Sequence, residues 1–133
     1  MFYARYQLGV IAERLGEDPA TVSRAYLEAY ASRPTRAEPL VALARYHRLR
    51  GEYALAVLYA RPAAALPKPA DVLFVDAATY DWQALDELSV SAYYAGPHDE
   101  GLAATRALLA SGRLPEAMRA RVEDNLRWYE GRR

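Results

Sequence analysis

Three glycines at similar intervals restrict how this chain can fold more than any other feature of its sequence. Gly16, Gly51 and Gly96 each follow a stretch whose apolar residues recur at helical spacing, so each is predicted to end a helix. The intervals between them are 35 and 45 residues, and similar intervals are expected where one two-helix unit repeats along a chain. The second interval is longer by about the length of one irregular segment, so a single insertion accounts for the difference.

The apolar pattern predicts an all-α chain with three helical hairpins and one closing helix. Composition agrees, because 27 of the 133 residues are Ala and 16 of the 17 basic residues are Arg, and both residue types favour helices. Between Pro67 and about Ala84 the helical period fails. The expected order, within a single domain over 1–133, is hairpins over about 1–34, 35–67 and 82–110, an irregular insertion over 68–81, and a capping helix over 115–130.

Local signals predict where some of these helices begin and end. Asp18 followed by Pro19 is typical of a helix start. Thr35 and Glu38 have the spacing of a capping box, in which each side chain satisfies a backbone donor of the other. Pro62 lies inside the fourth apolar stripe and removes a backbone N–H, so we expect a kink or an early helix end near Arg61.

Small residues recur where two helices would come closest. Gly9, Ala44, Ala56 and Gly101 occupy such positions, and a larger side chain there would hold the helices apart. Because each hairpin buries only part of its apolar surface, neighbouring hairpins must stack, and at least about three are needed for stability. The expected architecture is therefore an α-α solenoid.

Residues 37–67 resemble the tetratricopeptide repeat, whose period of about 34 residues is close to the first glycine interval. The matching positions are Leu40, Leu43, Ala44, His47, Ala56, Ala60 and Pro67. The first hairpin matches at Leu8, Gly9, Val22, Tyr26, Ala29 and Pro34, and the third at Leu85, Leu88, Ser89, Gly96, Gly101 and Thr105. The resemblance implies a helical-repeat fold that is commonly used for protein–protein interaction.

A second resemblance extends over about residues 20–128. The segments that carry it are 33–40, 43–48, 73–76, 80–82 and 85–88. They are similar to the repeat segment attached to bacterial glycosyltransferases of the family-two type. This resemblance implies an accessory module and not the catalytic domain.

Charge and composition exclude several classes of function. The formal net charge is zero, so no overall field attracts nucleic acid or an anionic membrane. With no Cys, disulfides, Cys-ligated metals and thiol nucleophiles are excluded, while the redox state of the compartment stays open. No apolar run approaches the ~20 residues that span a bilayer, and the first residues lack a secretory signal pattern. We expect a cytoplasmic protein with no nucleic-acid or membrane partner.

The sequence offers no constellation that indicates catalysis. Asp76, Asp81 and Asp86 lie five residues apart, so the Asp-x-Asp metal motif of many glycosyltransferases is absent. Asp86 and Glu87 beside Asp81 suggest either paired acid–base carboxylates or, as we favour, the acidic residues that helix N-termini attract. We expect no metal site and no cofactor. His47 is predicted to be a packing residue and His98 to lie in a turn.

The first helix of each hairpin lines the inner surface of such a solenoid, and this surface is usually used for binding. Arg and Tyr there would suit an acidic or carboxylate-bearing peptide, because Arg binds carboxylates through two hydrogen bonds. The alternative is that these arginines pair with neighbouring Asp or Glu on a solvated face. The candidate peptide-binding residues are Tyr6, Arg14, Arg45, Arg48, Asp86, Tyr93 and Tyr94.

Two further segments have alternative interpretations. Phe74 and Trp82 either form a binding loop or fold back to cover a hairpin junction, and we favour the cover because exposed apolar groups are costly. The chain starts inside the first repeat pattern, so Phe2 and Tyr3 are expected to face a preceding domain or repeat, or a second copy of the chain. The closing helix is charged on its outside, as a cap should be.

Together these features predict a non-catalytic protein-interaction or scaffold module that is accessory to a glycosyltransferase. The alternative is a regulatory or acceptor-binding part of a glycosyltransferase enzyme, in which groove residues contact an acceptor sugar or peptide.

Overall fold

The computed structural model describes residues 1–70 and 75–131, and over these residues the chain is helical with no strand. The predicted all-α class is therefore confirmed for this part of the chain. A π-helical turn over Thr79–Gln83 leads directly into the fifth α-helix. The α-helices are α1 (Phe2–Arg14), α2 (Pro19–Ser32), α3 (Glu38–Leu49), α4 (Tyr53–Ala65), α5 (Ala84–Ala95), α6 (His98–Ala110) and α7 (Glu116–Glu130).

The helices pack in chain order, and each one contacts the next. In addition, α1 contacts α3, α3 contacts α5 and α5 contacts α7, so the odd-numbered helices follow one another along one side of the molecule. This order is compatible with an α-solenoid, in which contacts are made mainly between neighbours.

Several helix ends lie where the local signals predict them. The Oδ1 atom of Asp18 accepts a hydrogen bond from the backbone N–H of Thr21 at 2.8 Å, which confirms Asp18 as the N-cap of α2. Gly16 and Gly51 have φ angles of 71° and 75° just after α1 and α3. Residues with side chains rarely adopt these angles, so glycine is required at these two turns.

The predicted capping box at α3 is wrong. The N-cap of α3 is Ala37, and no side chain caps this end of the helix. Glu38 instead accepts hydrogen bonds from Arg36 and from the Tyr80 hydroxyl, while Thr35 is exposed. Glu38 binds the buried guanidinium of Arg36 instead of capping α3, because hydrogen bonds between charged groups are roughly twice as strong as neutral ones.

Of the two outcomes expected at Pro62, the early helix end is wrong, because α4 continues through Pro62 to Ala65, whereas the kink stays a prediction. Pro62 removes the N–H that would bond the carbonyl of Leu58. Both residues are exposed, so the broken position lies on the solvent side of α4, where water satisfies a free carbonyl. Ala60 and Ala63, on the buried side, keep the helix packed against the core.

The helical segment predicted to start near Trp82 begins earlier. Helical structure resumes at about residue 77 and not near Trp82, because the π-helical turn precedes α5 without a break. Thr79 is buried and Tyr80 bonds to Glu38, so tertiary contacts hold this turn although its sequence lacks a clear period. The apolar cluster that includes Phe74 lies outside the described residues.

Small residues lie at the closest helix contacts, as predicted. A Cβ atom on Gly9 would lie 2.5 Å from the ring of Tyr26, and one on Gly101 would lie 2.0 Å from the Tyr129 hydroxyl oxygen. Ala44 and Ala56 are fully buried. The glycines thus allow α1 to approach α2, and α6 to approach both α5 and α7.

The aromatic residue at the start of the chain is covered within the chain. Phe2 is only 8% exposed, its ring stacks on Tyr6, and the Arg36 guanidinium carbon lies 4.6 Å from the centre of its ring. The expectation that Phe2 faces another domain or copy is therefore wrong. Tyr3 remains partly exposed.

Trp82 packs against neighbouring helices, as the favoured interpretation of its segment predicts for this residue, and it also lines the space between α3, α5 and α7. It is half-buried and packs against a cluster of Leu108, Leu114 and Val122 between α6 and α7. The fluorescence of Trp82 is measured in a Trp128→Phe variant, and that of Trp128 in a Trp82→Phe variant. We expect Trp82 to emit at a shorter wavelength than Trp128 and to be quenched less by acrylamide. Equal quenching of the two tryptophans would contradict this packing.

Candidate interaction groove

A cleft of about 470 Å³ lies between α3, α5 and α7. Three of the sequence-predicted groove residues, Arg45, Arg48 and Asp86, meet in its lining. Val41 from α3 and Val90 from α5 contribute apolar surface to the same cleft. The cleft follows the odd-numbered helices, which is the side on which the sequence places a binding surface.

Arg48 is tied to the cleft wall by a carboxylate that sequence reasoning assigned to a helix N-terminus. Its Nε atom lies 2.6 Å from Oε2 of Glu87 and its Nη2 atom 3.1 Å from Oε1. Glu87 is buried, so this two-fold hydrogen bond joins α3 to α5 and raises the pKa of the Arg48 guanidinium. Arg48 therefore matches the alternative in which groove arginines pair with neighbouring carboxylates.

Asp86 is paired in the same way. Both of its carboxylate oxygens lie 3.0 Å from guanidinium nitrogens of Arg121 on α7. Arg121 was not among the sequence-predicted residues, because α7 was interpreted as a cap and its outer arginines as solvated. The pair connects α7 to α5 and makes α7 a wall of the cleft.

Arg45 is the most accessible of the three arginines in the cleft. Its side chain is 47% exposed and its Nη2 atom lies 3.6 Å from Oε1 of Glu13. The same oxygen of Glu13 accepts a hydrogen bond from Tyr26 at 2.7 Å. The head group of Arg45 can therefore turn towards a ligand at little cost, since exposed ion pairs contribute at most about 1 kcal/mol.

The carboxylates of Asp81, Asp86 and Glu87 each face a basic side chain. Asp81 lies 2.7 Å from Nζ of Lys68, while Asp86 and Glu87 bind Arg121 and Arg48. Each carboxylate thus has a cation of its own. Within residues 1–70 and 75–131, no group of three acidic or imidazole side chains is arranged to hold a metal ion.

An aromatic cavity of about 270 Å³ continues the cleft towards the end of α5. Val90 and Asn125 line both the cleft and this cavity, so the two are adjacent. Its walls include Tyr93 and Tyr94 from α5 and Trp128 from α7, and the last two are 62% and 65% exposed. Sequence reasoning found the two tyrosines but missed Asn125 and Trp128, although their spacing of three places both on one helical face.

Buried hydrogen bonds connect the helices at the floor of the aromatic cavity. Tyr129 donates a hydrogen bond to the carbonyl of Ser89, and burial raises the pKa of its hydroxyl. The hydroxyl oxygens of Ser89 and Thr105 lie 2.5 Å apart, and Thr105 also donates to the carbonyl of Gly101. These buried bonds connect α5, α6 and α7 directly beneath the aromatic side chains.

The other two sequence-predicted residues lie outside the cleft. Tyr6 lines a separate small cavity with Phe2 and Arg36, and burial, partly opposed by Arg45, raises its pKa. Arg14 is exposed at the end of α1 and lines neither the cleft nor the aromatic cavity. The predicted groove is therefore shorter than expected and does not extend along α1.

The side chains of both histidines contact other parts of the fold. His47 is buried, stacks on Tyr59 and shares a hydrogen bond of 2.9 Å with Glu52, as expected of a packing residue. His98 was predicted to lie in a turn but is the first residue of α6, where its Nε2 atom lies 3.0 Å from the carbonyl oxygen of Tyr93. Neither histidine faces the cleft.

Over the described residues the chain is all-helical, its helices pack in order, and a cleft with an adjoining aromatic cavity lies between α3, α5 and α7. No described helix combines the length and the apolar character needed to cross a membrane. The sequence matches no protein-family model and no curated protein.

Proposed function

We propose that this chain is a non-catalytic protein-interaction or scaffold module, built from three tetratricopeptide-like hairpins with α7 as a capping helix. In this proposal the cleft and the aromatic cavity form one groove that binds an extended peptide segment of a partner protein. The observation that carries the proposal is the continuity of the two cavities through Val90 and Asn125.

The groove offers two kinds of contact. Trp128 and Tyr94 are large, rigid and exposed, which are the properties of side chains that contribute most to protein interfaces. Asn125 carries an amide that both donates and accepts hydrogen bonds, so it suits a peptide backbone. Arg48 and Arg121 already face carboxylates of the chain. We therefore expect contacts with the aromatic side chains to contribute more binding affinity than contacts between arginines and acidic residues of the peptide.

The role as an accessory to a glycosyltransferase remains part of the proposal and is supported by the sequence resemblance. Residues from three of the resembling segments converge in one hydrogen-bond network around the buried Arg36–Glu38 pair, which includes the backbone of Asp76 and the hydroxyl of Tyr80. Such a network explains why these segments would occur together, since each supplies a partner of the others.

The alternative, an acceptor-binding part of a glycosyltransferase, is favoured by the same aromatic cavity. The face of Trp128 beside the Asn125 amide would suit the apolar face and hydroxyl groups of a sugar as well as a peptide. A nucleotide-sugar-binding domain encoded in the same reading frame would favour this alternative over a separate scaffold.

The test of the groove uses peptides selected from a random-sequence library for binding to the full chain. We expect Trp128→Ala to weaken binding of the selected peptides by about thirtyfold or more, because a buried aromatic anchor contributes about 2 kcal/mol or more. Arg45→Glu should weaken the binding of acidic peptides by a smaller factor. Isothermal titration calorimetry measures both effects.

Arg106→Glu is the matched control, because Arg106 is 51% exposed on α6 and does not line the cleft or the aromatic cavity. Arg48 is unsuitable as a test position, since its loss would leave Glu87 buried without its guanidinium. Selected peptides whose affinity is unchanged by Trp128→Ala and by Arg45→Glu would contradict the proposed groove.

A further inference from the structure

The outer face of α1 carries a row of exposed apolar side chains at heptad spacing. Leu8, Ile11 and Leu15 are 61%, 49% and 71% exposed, and Ala4 extends the row towards the start of the helix. Steps of four, three and four residues place all four side chains on one stripe of an α-helix. The stripe lies opposite Gly9, whose side of α1 packs against α2.

The helix at the other end of the fold has a different outer surface. The exposed positions of α7 include Glu123, Asp124 and Arg127, which water solvates readily. Single exposed leucines are ordinary on protein surfaces, but a contiguous apolar row marks an interaction surface. Trp128, the large exposed apolar side chain of α7, belongs to the groove, so the outer face of α1, unlike that of α7, is suited to being covered by a partner.

The edges of the α1 stripe are basic. Arg5 lies on one edge, while Gln7 and Arg14 lie on the other. The single carboxylate of α1 belongs to Glu13, which faces inward to Tyr26 and Arg45. In paired helices, the residues at these edges face the edges of the partner and select it by charge.

We propose that the outer face of α1 docks an amphipathic helix of a partner protein, with an apolar heptad row edged by Asp and Glu. A second copy of α1 would bring Arg5, Gln7 and Arg14 to the interface and no carboxylate to complement them. The proposed surface is separate from the groove, because no residue of the α1 stripe lines the cleft or the aromatic cavity.

Two designed three-heptad peptides test this proposal by fluorescence anisotropy. Both have Leu at the a and d positions, and their edge positions carry Glu in one peptide and Lys in the other. We expect the Glu-edged peptide to bind about tenfold more tightly or better, with the difference shrinking as salt is added. The full chain is used, and circular dichroism checks the folding of each variant.

Matched variants locate the binding. Leu8→Gln with Ile11→Gln should abolish binding of the Glu-edged peptide without unfolding the chain, because both side chains are exposed. Leu49→Gln with Leu58→Gln, which replaces equally exposed leucines on α3 and α4, should leave binding unchanged. Arg5→Glu with Arg14→Glu should reverse the preference in favour of the Lys-edged peptide.

Equal affinity for the two peptides, or binding of neither, would overturn the proposal. Sedimentation that shows a dimer dissociated by Leu8→Gln with Ile11→Gln would also overturn it, by identifying a second copy as the occupant. Affinity of the groove for its selected peptides should not change in these variants. Failure of the α1 surface is thereby distinguished from failure of the proposed groove.

Discussion

Replacing Glu38 with glutamine is expected to lower the free energy of unfolding by about 3–5 kcal/mol. The Nη2 atom of Arg36 lies 2.8 Å from Oε2 of Glu38 and its Nε atom 3.1 Å from Oε1, and both side chains are only 3% exposed. Glutamine keeps the shape of the side chain but removes the negative charge that faces the buried guanidinium. Chemical denaturation at neutral pH measures the loss.

The same carboxylate connects three parts of the chain, which is why a large effect is expected. The Tyr80 hydroxyl donates to Oε1 of Glu38 at 2.7 Å and accepts from the backbone N–H of Ala37 at 2.8 Å. The backbone N–H of Asp76 donates to Oε2 at 3.1 Å. The π-helical turn is thus held against the start of α3 by bonds that converge on Glu38.

The loss should depend on pH. Burial alone would raise the pKa of Glu38, but hydrogen bonds from Arg36 and Tyr80 outweigh it and hold the pKa below its usual value of 4.5. The stabilisation by Glu38 is therefore complete above that value and is lost as pH falls through the lowered pKa of the folded state. The difference in stability between wild type and Glu38→Gln should shrink in acid.

Glu100→Gln provides the matched control. Glu100 binds Arg61 through two hydrogen bonds of 2.7 and 2.8 Å, but the two side chains are 30% and 53% exposed. The same substitution there should cost at most about 1 kcal/mol, because solvent screens the pair. Equal losses for Glu38→Gln and Glu100→Gln would show that burial adds nothing to the Arg36–Glu38 pair.

Gly101→Ala is expected to have the second largest effect, a loss of about 1–3 kcal/mol. An added Cβ would lie 2.0 Å from the hydroxyl oxygen of Tyr129 and 2.8 Å from Cβ of Ala92. Tyr129 is 3% exposed and donates to the Ser89 carbonyl, so its ring cannot move aside cheaply. Thermal or urea unfolding measures the change.

Two companion variants separate crowding from helix propensity. Ala103→Gly, at an exposed position of α6, should lose about 1 kcal/mol and so measures propensity alone. In a Tyr129→Phe background, which removes the nearest atom, Gly101→Ala should cost less than in the wild type. A stabilising Gly101→Ala would contradict close packing of α6 against α7.

Much of the helical framework could be read from local residue patterns. Asp18 caps α2, Gly16 and Gly51 end α1 and α3, and Gly9 and Gly101 lie where helices touch, all as their spacing predicts. These features depend on the backbone preferences of one residue or on spacing along a single helix. Such preferences act within a few positions of the chain and do not require knowledge of its partners.

The candidate site was predicted less completely. Arg45, Arg48 and Asp86 do meet in one cleft, but the position of Asn125 and Trp128 beside them depends on how α7 packs against α5. The aromatic end of the groove therefore required the structure. Its residues carry the helical spacing of an ordinary terminal helix, so nothing in their pattern distinguishes a groove wall from a cap.

Side-chain partners that are distant in the sequence were decided by tertiary structure. Glu38 has the spacing of a capping residue, yet it binds Arg36 and Tyr80, the latter 42 positions away. Arg48 pairs with Glu87 across 39 positions, and Pro62 is accommodated because it lies on the exposed side of α4. Local sequence selects helices and their ends, whereas stacking of helices determines which charges become buried, and a buried charge takes the partner that compensates its lost hydration.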